Sequence, residues 1–215
     1  EDRAALTLTG SRPKEPCVAM KRVGLMGGTF DPIHIGHLLA AETAREQCGL
    51  DEVWFIPSRT PPLKSGAPSA SGEDRLEMVR LAIAGHPAFK ALDLELRRPG
   101  ISYSIDTVYE LSARCPGCSF AYIIGGDRVN DLPRWHRIDE LAASVAFIGV
   151  ARPGHPVDIG SLPESLRGRV RIIPMPQLDI SSSAIRALRR EGRSVRYLVP
   201  DGVHDFIVRK GLYGS

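Results

Sequence analysis

Apolar positions along this chain fall into short continuous runs separated by segments with helical spacing. Val23–Met26, inside Lys21–Gly27, is apolar apart from one glycine and reads as a buried strand. Gly36–Cys48 follows as a helix, with Gly49 as its C-terminal stop. Val53, Trp54, Phe55 and Ile56 make Asp51–Pro57 a second strand, in which Trp54 is most simply core. Pro61, Pro62, Gly66, Pro68 and Gly72 then mark Ser58–Gly72 as a long loop, a length that is usually functional or disordered. Ser71-Gly72-Glu73-Asp74 has the make-up of a helix N-terminus, and Leu76, Val79 and Ile83 share one helical face before Gly85. Phe89–Leu96 is a third strand candidate, and Ser104–Arg114 is a helix with Ile105, Val108 and Leu111 spaced by three. Beyond it, Phe120–Gly125, Val145–Val150 and Val170–Ile173 read as strands, and Ile138–Ala143, Ile180–Arg190 and Asp201–Lys210 as helices. Alternation of this kind predicts an α/β fold: a doubly wound, mainly parallel sheet with helices on both faces. Ligands sit at the carboxyl edge of such a sheet. The punctuated strand ends Gly27-Gly28, Gly125-Gly126-Asp127 and Arg152-Pro153-Gly154 would all open there.

Composition changes this picture little. The chain has 215 residues, enough for one domain with a sizeable core, and its 43% hydrophobic and 25% charged content is that of an ordinary globular protein. Residues 1–19 are polar, broken by Pro13 and Pro16, and are expected to be a flexible extension ahead of one domain over 20–215, with Met20-Lys21 a plausible first pair. They lack the apolar core of a signal peptide, and no apolar run approaches the ~18 residues of a membrane span. Cys17, Cys48, Cys115 and Cys118 are too few and scattered for a disulfide framework; Cys115-Pro116-Gly117-Cys118 is a lone CxxC, more simply a surface turn than a zinc site. A soluble, reducing, cytoplasmic setting is the default, with no nucleic acid or membrane partner expected and a homo-oligomer left open. The net charge of +3 excludes nothing, but Arg167, Arg169, Arg171, Arg186, Arg189, Arg190, Arg193 and Arg196 crowd one late stretch. Most suit a solvated face; one or two could reach a phosphate.

The candidate chemistry concentrates in Gly27-Gly28-Thr29-Phe30-Asp31-Pro32-Ile33-His34-Ile35-Gly36-His37. A strand, a glycine turn and a helix start point backbone N–H groups and a helix dipole at one spot, which is an anion site. His34 and His37 can add hydrogen bonds to phosphate, and Gly36 leaves room for a ligand to approach the backbone. A metal site from Asp31, His34 and His37 is conceivable by residue type, but no further ligand is evident and Gly36 interrupts the register. Ile180-Ser181-Ser182-Ser183-Ala184-Ile185-Arg186 is the second signal: a serine-capped helix whose hydroxyls, N–H groups and Arg186 make another phosphate cradle. Two cradles suit a triphosphate gripped from both sides. No GxGxxG, GxxxxGK[ST] or GxSxG occurs, which removes the usual dinucleotide, P-loop and hydrolase readings.

Gly27–Pro32 followed by His34-Ile35-Gly36-His37 resembles the HxGH nucleotidyltransferase motif, and Ile180–Arg186 resembles its ISSxxIR partner. Between them lie Pro61-Pro62-Leu63-Lys64, Ser102-Tyr103-Ser104-Ile105-Asp106-Thr107, Ile124-Gly125-Gly126-Asp127, Trp135-His136 and Arg152-Pro153-Gly154. That ordered set, over roughly residues 20 to 213, is similar to the bacterial nicotinate-nucleotide adenylyltransferase family. The resemblance implies a Rossmann-like fold and transfer of AMP from ATP to nicotinate mononucleotide, with Mg²⁺ accompanying ATP and no dedicated metal ligands. It implies catalytic roles for His34, His37 and Arg186. ATP would be held by Gly27, Gly28, Thr29, Phe30, Gly36, Gly125, Asp127, Ile180, Ser181 and Ser183. The nicotinate nucleotide would meet Ser104, Trp135 (stacked on the pyridine ring), His136, Lys64 and Arg152. Leu63 departs from the family's usual histidine, so no role carries onto it. Rival readings are an adenylyltransferase for nicotinamide mononucleotide or phosphopantetheine, a nucleotide sensor without turnover, and a truncated aminoacyl-tRNA synthetase core.

Overall fold

The computed structural model describes residues 20–62, 66–152, 154 and 157–214. The expected extension over 1–19, and Leu63 and Lys64 of the long loop, lie outside them. Six strands, β1 (Lys21–Gly28), β2 (Glu52–Pro57), β3 (Phe89–Ala91), β4 (Cys118–Gly125), β5 (Ala146–Ala151) and β6 (Val170–Pro174), form one sheet in the order β3-β2-β1-β4-β5-β6. Every pairing is parallel. The order reverses between β1 and β4, and in a doubly wound sheet the crevice at that reversal is where ligands bind.

Alternating side chains explain why both faces are covered. Val23 and Leu25 of β1, Trp54 and Ile56 of β2, and Phe120, Tyr122 and Ile124 of β4 face one core. Helices α4 (Ser104–Arg114) and α5 (Ile138–Ser144) close that side with Ile105, Val108, Leu111 and Leu141. Met26, Val53, Phe55 and Ile123 face the other, against α1 (Ile35–Cys48), α2 (Gly72–Ile83), α7 (Ser182–Arg190) and α8 (Asp201–Lys210). At 25 cal/mol per Å² of apolar surface removed from water, each large residue so buried contributes roughly 2 kcal/mol against chain entropy. The helix stops follow the local chemistry. Gly49 adopts φ 61°, ψ 45° and closes α1 by donating to Glu46, as its left-handed preference allows. Ser71 caps α2 by accepting from the Asp74 N–H at 3.0 Å.

Two expectations need correction, and one element was not anticipated. Phe89–Leu96 is a strand only to Ala91; Asp93 then starts a one-turn helix α3 (Leu94–Arg97), locked by an Asp93–Arg97 ion pair at 2.6 Å, and its Leu94 and Glu95 are buried. The late helix begins at Ser182, two residues after Ile180, because the Ser181 hydroxyl is spent capping the Ala184 N–H. Gly126–Arg134, which carried no apolar run, is a 3₁₀ helix with Val129 and Leu132 buried. A short 3₁₀ turn (Ile159–Ser161) and α6 (Glu164–Arg167) pack on the same core as α4 and α5.

Candidate active site

β1 pairs with β4, aligning Leu25 with Tyr122, and β4 pairs with β5, aligning Gly125 with Val150. Gly27, Gly28, Gly125 and Arg152 therefore lie at one edge. Phe30 takes φ 49°, an uncommon value for an aromatic residue, and its ring lies 3.0–3.3 Å from where a Gly28 Cβ would be. That ring packs edge-on against His37 at 5.2 Å and tilted against Phe55 at 6.0 Å. Phe30 thus supports the site from the core.

His34 precedes α1 and is 5% exposed. Its N–H donates to His37 Nδ1 at 3.2 Å, and the two rings lie 3.7 Å apart. Accepting at Nδ1 selects the neutral His37 tautomer with its proton on Nε2. Burial, then the positive charge of Arg152, pulls the His34 pKa down to about 4, so the free protein holds that imidazole neutral at pH 7. Its Nδ1 is buried with no hydrogen-bond partner among the described residues. Gly36 makes room for this ring: a Cβ there would sit 3.1 Å from His34 Cε1 and Nδ1. Glycine at this place serves the histidine first. The first-turn N–H groups are also partly committed, Ile35 to the Leu198 carbonyl at 3.0 Å and His37 to that of His34.

The two motifs, about 150 residues apart in sequence, meet directly. Ser182 Oγ donates to the Pro32 carbonyl at 2.9 Å, and Arg186 Nη1 donates to the Asp31 carbonyl at 2.8 Å. Arg186 Nε is buried without a partner among the described residues. Ser181 and Ser183 are exposed at the helix start with their hydroxyls 3.1 Å apart, and Ile180 packs on the core shared with α1, α2 and α8.

Asp31 is not poised for a metal. Its buried carboxylate accepts from the Ser69 N–H (2.7 Å), the Ala70 N–H (3.0 Å) and the Tyr213 hydroxyl (2.8 Å). Arg75, 2% exposed, donates to the carbonyls of Thr29 (2.6 Å) and Ser58 (2.9 Å) behind the same loop. Among the described residues no group of three or more His, Cys, Asp or Glu is arranged to hold a metal ion. Arg75 and Tyr213 are functional supports that sequence reasoning missed; nothing local marks them, because their partners lie 46 and 182 positions away.

The remaining site residues form a second group. Ser104 opens α4 and is half-buried. Trp135 follows the 3₁₀ helix and stands edge-on to Tyr122 (5.7 Å, 90°) and Phe147 (6.2 Å, 88°), with its Nε1 buried and unpartnered among the described residues. Its backbone N–H donates to Leu132, which leaves the His136 N–H as the backbone donor expected there. The His136 ring is exposed and stacked on Tyr103 at 4.2 Å. Asp127 is exposed and folds over Gly125, where a Cβ would come within 2.6 Å of its Oδ1. Behind this group, Glu95 is buried and accepts from Thr107 Oγ1 at 2.7 Å; burial raises its pKa.

Comparison with known proteins agrees with this geometry. The cytidylyltransferase-like family model matches residues 25–188. The probable nicotinate-nucleotide adenylyltransferase of Geobacillus kaustophilus is 47% identical over 196 residues, 91% of this chain and 88% of the relative. That of Oceanobacillus iheyensis is 45% identical, over 91% of this chain and 98% of its own. Plasmodium falciparum nicotinic acid mononucleotide adenylyltransferase complexed with NaAD superposes with a TM-score of 0.74 at 22% identity, covering 90% of this chain and 97% of that one, a likeness of fold. The chain belongs to the cytidylyltransferase-like family and, within it, to the nicotinate-nucleotide adenylyltransferases.

Proposed function

We propose that this chain transfers AMP from ATP to nicotinate mononucleotide, giving deamido-NAD and pyrophosphate in the cytoplasm. The observation that carries the reading is the junction of α7 with the loop after β1, where Arg186 and Ser182 grip the carbonyls of Asp31 and Pro32. It brings a guanidinium, two histidines and a helix start to the edge where a triphosphate would lie.

The nucleophile is a phosphate monoester, largely dianionic near neutral pH because its second pKa is about 6. One of its oxygens attacks the α-phosphorus in line; the bond from that phosphorus to the bridging oxygen breaks, and pyrophosphate leaves with the electron pair. No proton needs removal, so the two imidazoles are free to act as hydrogen-bond donors and neither is required as a base. Acceleration then comes from alignment and from stabilising charge on the departing pyrophosphate. His37 Nε2–H, the neutral His34 ring, Arg186 and backbone N–H groups of Gly28–Phe30 and Gly36 are the proposed donors. Gly27, Gly125, Asp127, Ile180, Ser181 and Ser183 complete the adenosine and phosphate contacts, with Asp127 accepting from ribose hydroxyls. The carboxylate of Asp31 is turned to the Ser69 and Ala70 N–H groups and the Tyr213 hydroxyl, which suits Mg²⁺ arriving with the ATP substrate, bound through phosphate and water.

The pyridine ring is assigned to Trp135, and its carboxylate to the Ser104 hydroxyl and the His136 N–H, with Arg152 and Lys64 meeting the nucleotide phosphate. A site of donors favours an acid over an amide, whose NH₂ would face donor against donor. The deciding assay measures pyrophosphate release from Mg-ATP with nicotinate mononucleotide, nicotinamide mononucleotide or phosphopantetheine. Preference for the acid is expected. Preference for either of the others would overturn the substrate assignment, and no release with any would favour a sensor.

A further inference from the structure

The one motif that the adenylyl-transfer reading leaves unused is Cys115-Pro116-Gly117-Cys118, at the opposite end of β4 from the site. The Cys115 N–H makes the last bond of α4, to the Leu111 carbonyl at 2.8 Å, and the chain then reverses through Pro116 and Gly117. The Cys118 N–H donates back to the Cys115 carbonyl at 3.0 Å, the closing bond of a four-residue turn. Such a turn holds its first and last Cα within about 7 Å, the separation that a disulfide spans. The turn is fastened from outside as well: Lys21 N–H donates to the Gly117 carbonyl at 2.9 Å, and Lys21 pairs with Cys118 across the sheet. Both cysteines are free and half-buried, and they stand at the two ends of the turn.

We propose that Cys115 and Cys118 are a redox-active dithiol that closes reversibly to an intramolecular disulfide across this turn. The reaction is thiol–disulfide exchange with a low-molecular-weight disulfide. One cysteine thiolate attacks a sulfur of the oxidant, forming a mixed disulfide and releasing one thiolate. The second cysteine, held across the turn by the Cys118 N–H to Cys115 carbonyl bond, attacks the protein sulfur of that mixed disulfide and expels the other thiolate. Two protein thiols are oxidised, one external disulfide is reduced to two thiols, and two protons leave the protein. The turn that brings the two Cα atoms within disulfide range exists before oxidation.

The placement also decides what sort of dithiol this is. Oxidoreductase CxxC pairs gain a stabilised thiolate from a helix N-terminus. Here the pair follows the C-terminal end of α4, where the macrodipole is negative and disfavours a thiolate. Burial, then the charge and hydrogen bond of Cys115, pushes the Cys118 thiol above its ordinary range. The reduced form gains nothing from ionisation, so the disulfide once made resists reduction more than that of an oxidising CxxC protein. No third ligand stands by to convert the pair to a metal centre among the described residues.

The test treats the full native chain with glutathione disulfide, alkylates remaining thiols and maps the peptides by mass. The expected result is loss of both alkylation sites at Cys115 and Cys118 together, in a peptide lighter by two hydrogens that dithiothreitol restores. Cys115→Ser and Cys118→Ser should each instead keep a glutathione adduct on the remaining cysteine. Persistent glutathione adducts on the wild-type chain would overturn the proposal. So would a bridge to Cys17 or Cys48, or two unreacted thiols under conditions that oxidise a CPGC peptide. The wild-type map alone decides, whether or not either serine variant folds.

Discussion

Acidification should destabilise the protein through His34. Its pKa falls from the ordinary 6.5 to about 4 in the native state, because the ring is buried and Arg152 adds positive charge nearby. Between those two values the unfolded chain binds a proton that the native chain does not. Stability is therefore fully present above pH 6.5 and is lost as the pH falls toward 4. A shift of that size is worth about 3 kcal/mol at 1.36 kcal/mol per unit, with a steepest slope of about 1.4 kcal/mol per pH unit. Urea unfolding of the wild type and of His34→Asn, from about pH 8 to 4.5, measures it: the variant lacks the titrating ring, so its curve should fall less steeply below pH 6.5. The substitution also changes the surroundings of the His37 ring, which lies 3.7 Å away. The assigned His34 ring protons in an NMR titration separate the two. Added pyrophosphate should move that midpoint upward, since an anion beside the ring favours the imidazolium. Parallel unfolding curves together with a His34 midpoint near 6.5 would refute both the burial argument and the picture of a neutral donor.

Asp31→Asn removes the charge facing the buried Arg75 and turns an NH₂ toward the Ser69 N–H, a loss of about 3–5 kcal/mol in denaturant unfolding. Tyr213→Phe alone should cost about 1.5–3 kcal/mol, and the double variant less than the sum, because both act on one hydrogen bond; strict additivity would deny the network. Glu52 is pushed up by burial but brought down to about 2 by bonds from Lys21 (2.5 Å), Lys90 (2.9 Å) and Trp54 Nε1 (2.7 Å). Its contribution is present above pH 4.5 and lost as the pH falls toward 2, so Glu52→Gln should flatten the acid limb by ~1–2 kcal/mol after screening of the half-exposed lysines. Trp135→Ala should raise KM for nicotinate mononucleotide at least several-fold and leave that for ATP nearly unchanged; movement of the ATP value would show that the ring does not serve the pyridine.

How far the site could be read in the sequence follows from how local each interaction is. Val23–Met26 and Phe120–Ile124 announce buried parallel strands because both their faces meet helices, and Gly27–His37 and Ile180–Arg186 stand out as the proposed phosphate cradles because their donors are neighbours in the chain. The meeting of those cradles is not local. It is made by side-chain bonds to the carbonyls of Asp31 and Pro32, atoms that every residue type carries and that leave no mark in a sequence. The same holds for Arg75, which resembles any exposed arginine of an amphipathic helix until the carbonyls of Thr29 and Ser58 are seen to surround it. Asp31 shows the reverse case. Residue type alone leaves a metal ligand conceivable, and only the hydrogen bonds from Ser69, Ala70 and Tyr213 reveal that its carboxylate holds the loop from behind. Gly36 is the same lesson at the scale of one atom, since the space that it leaves is taken by the His34 ring. In this fold the residues legible in sequence are those expected to touch the nucleotide. Those that set their positions are ordinary residue types made specific by burial and by partners far along the chain.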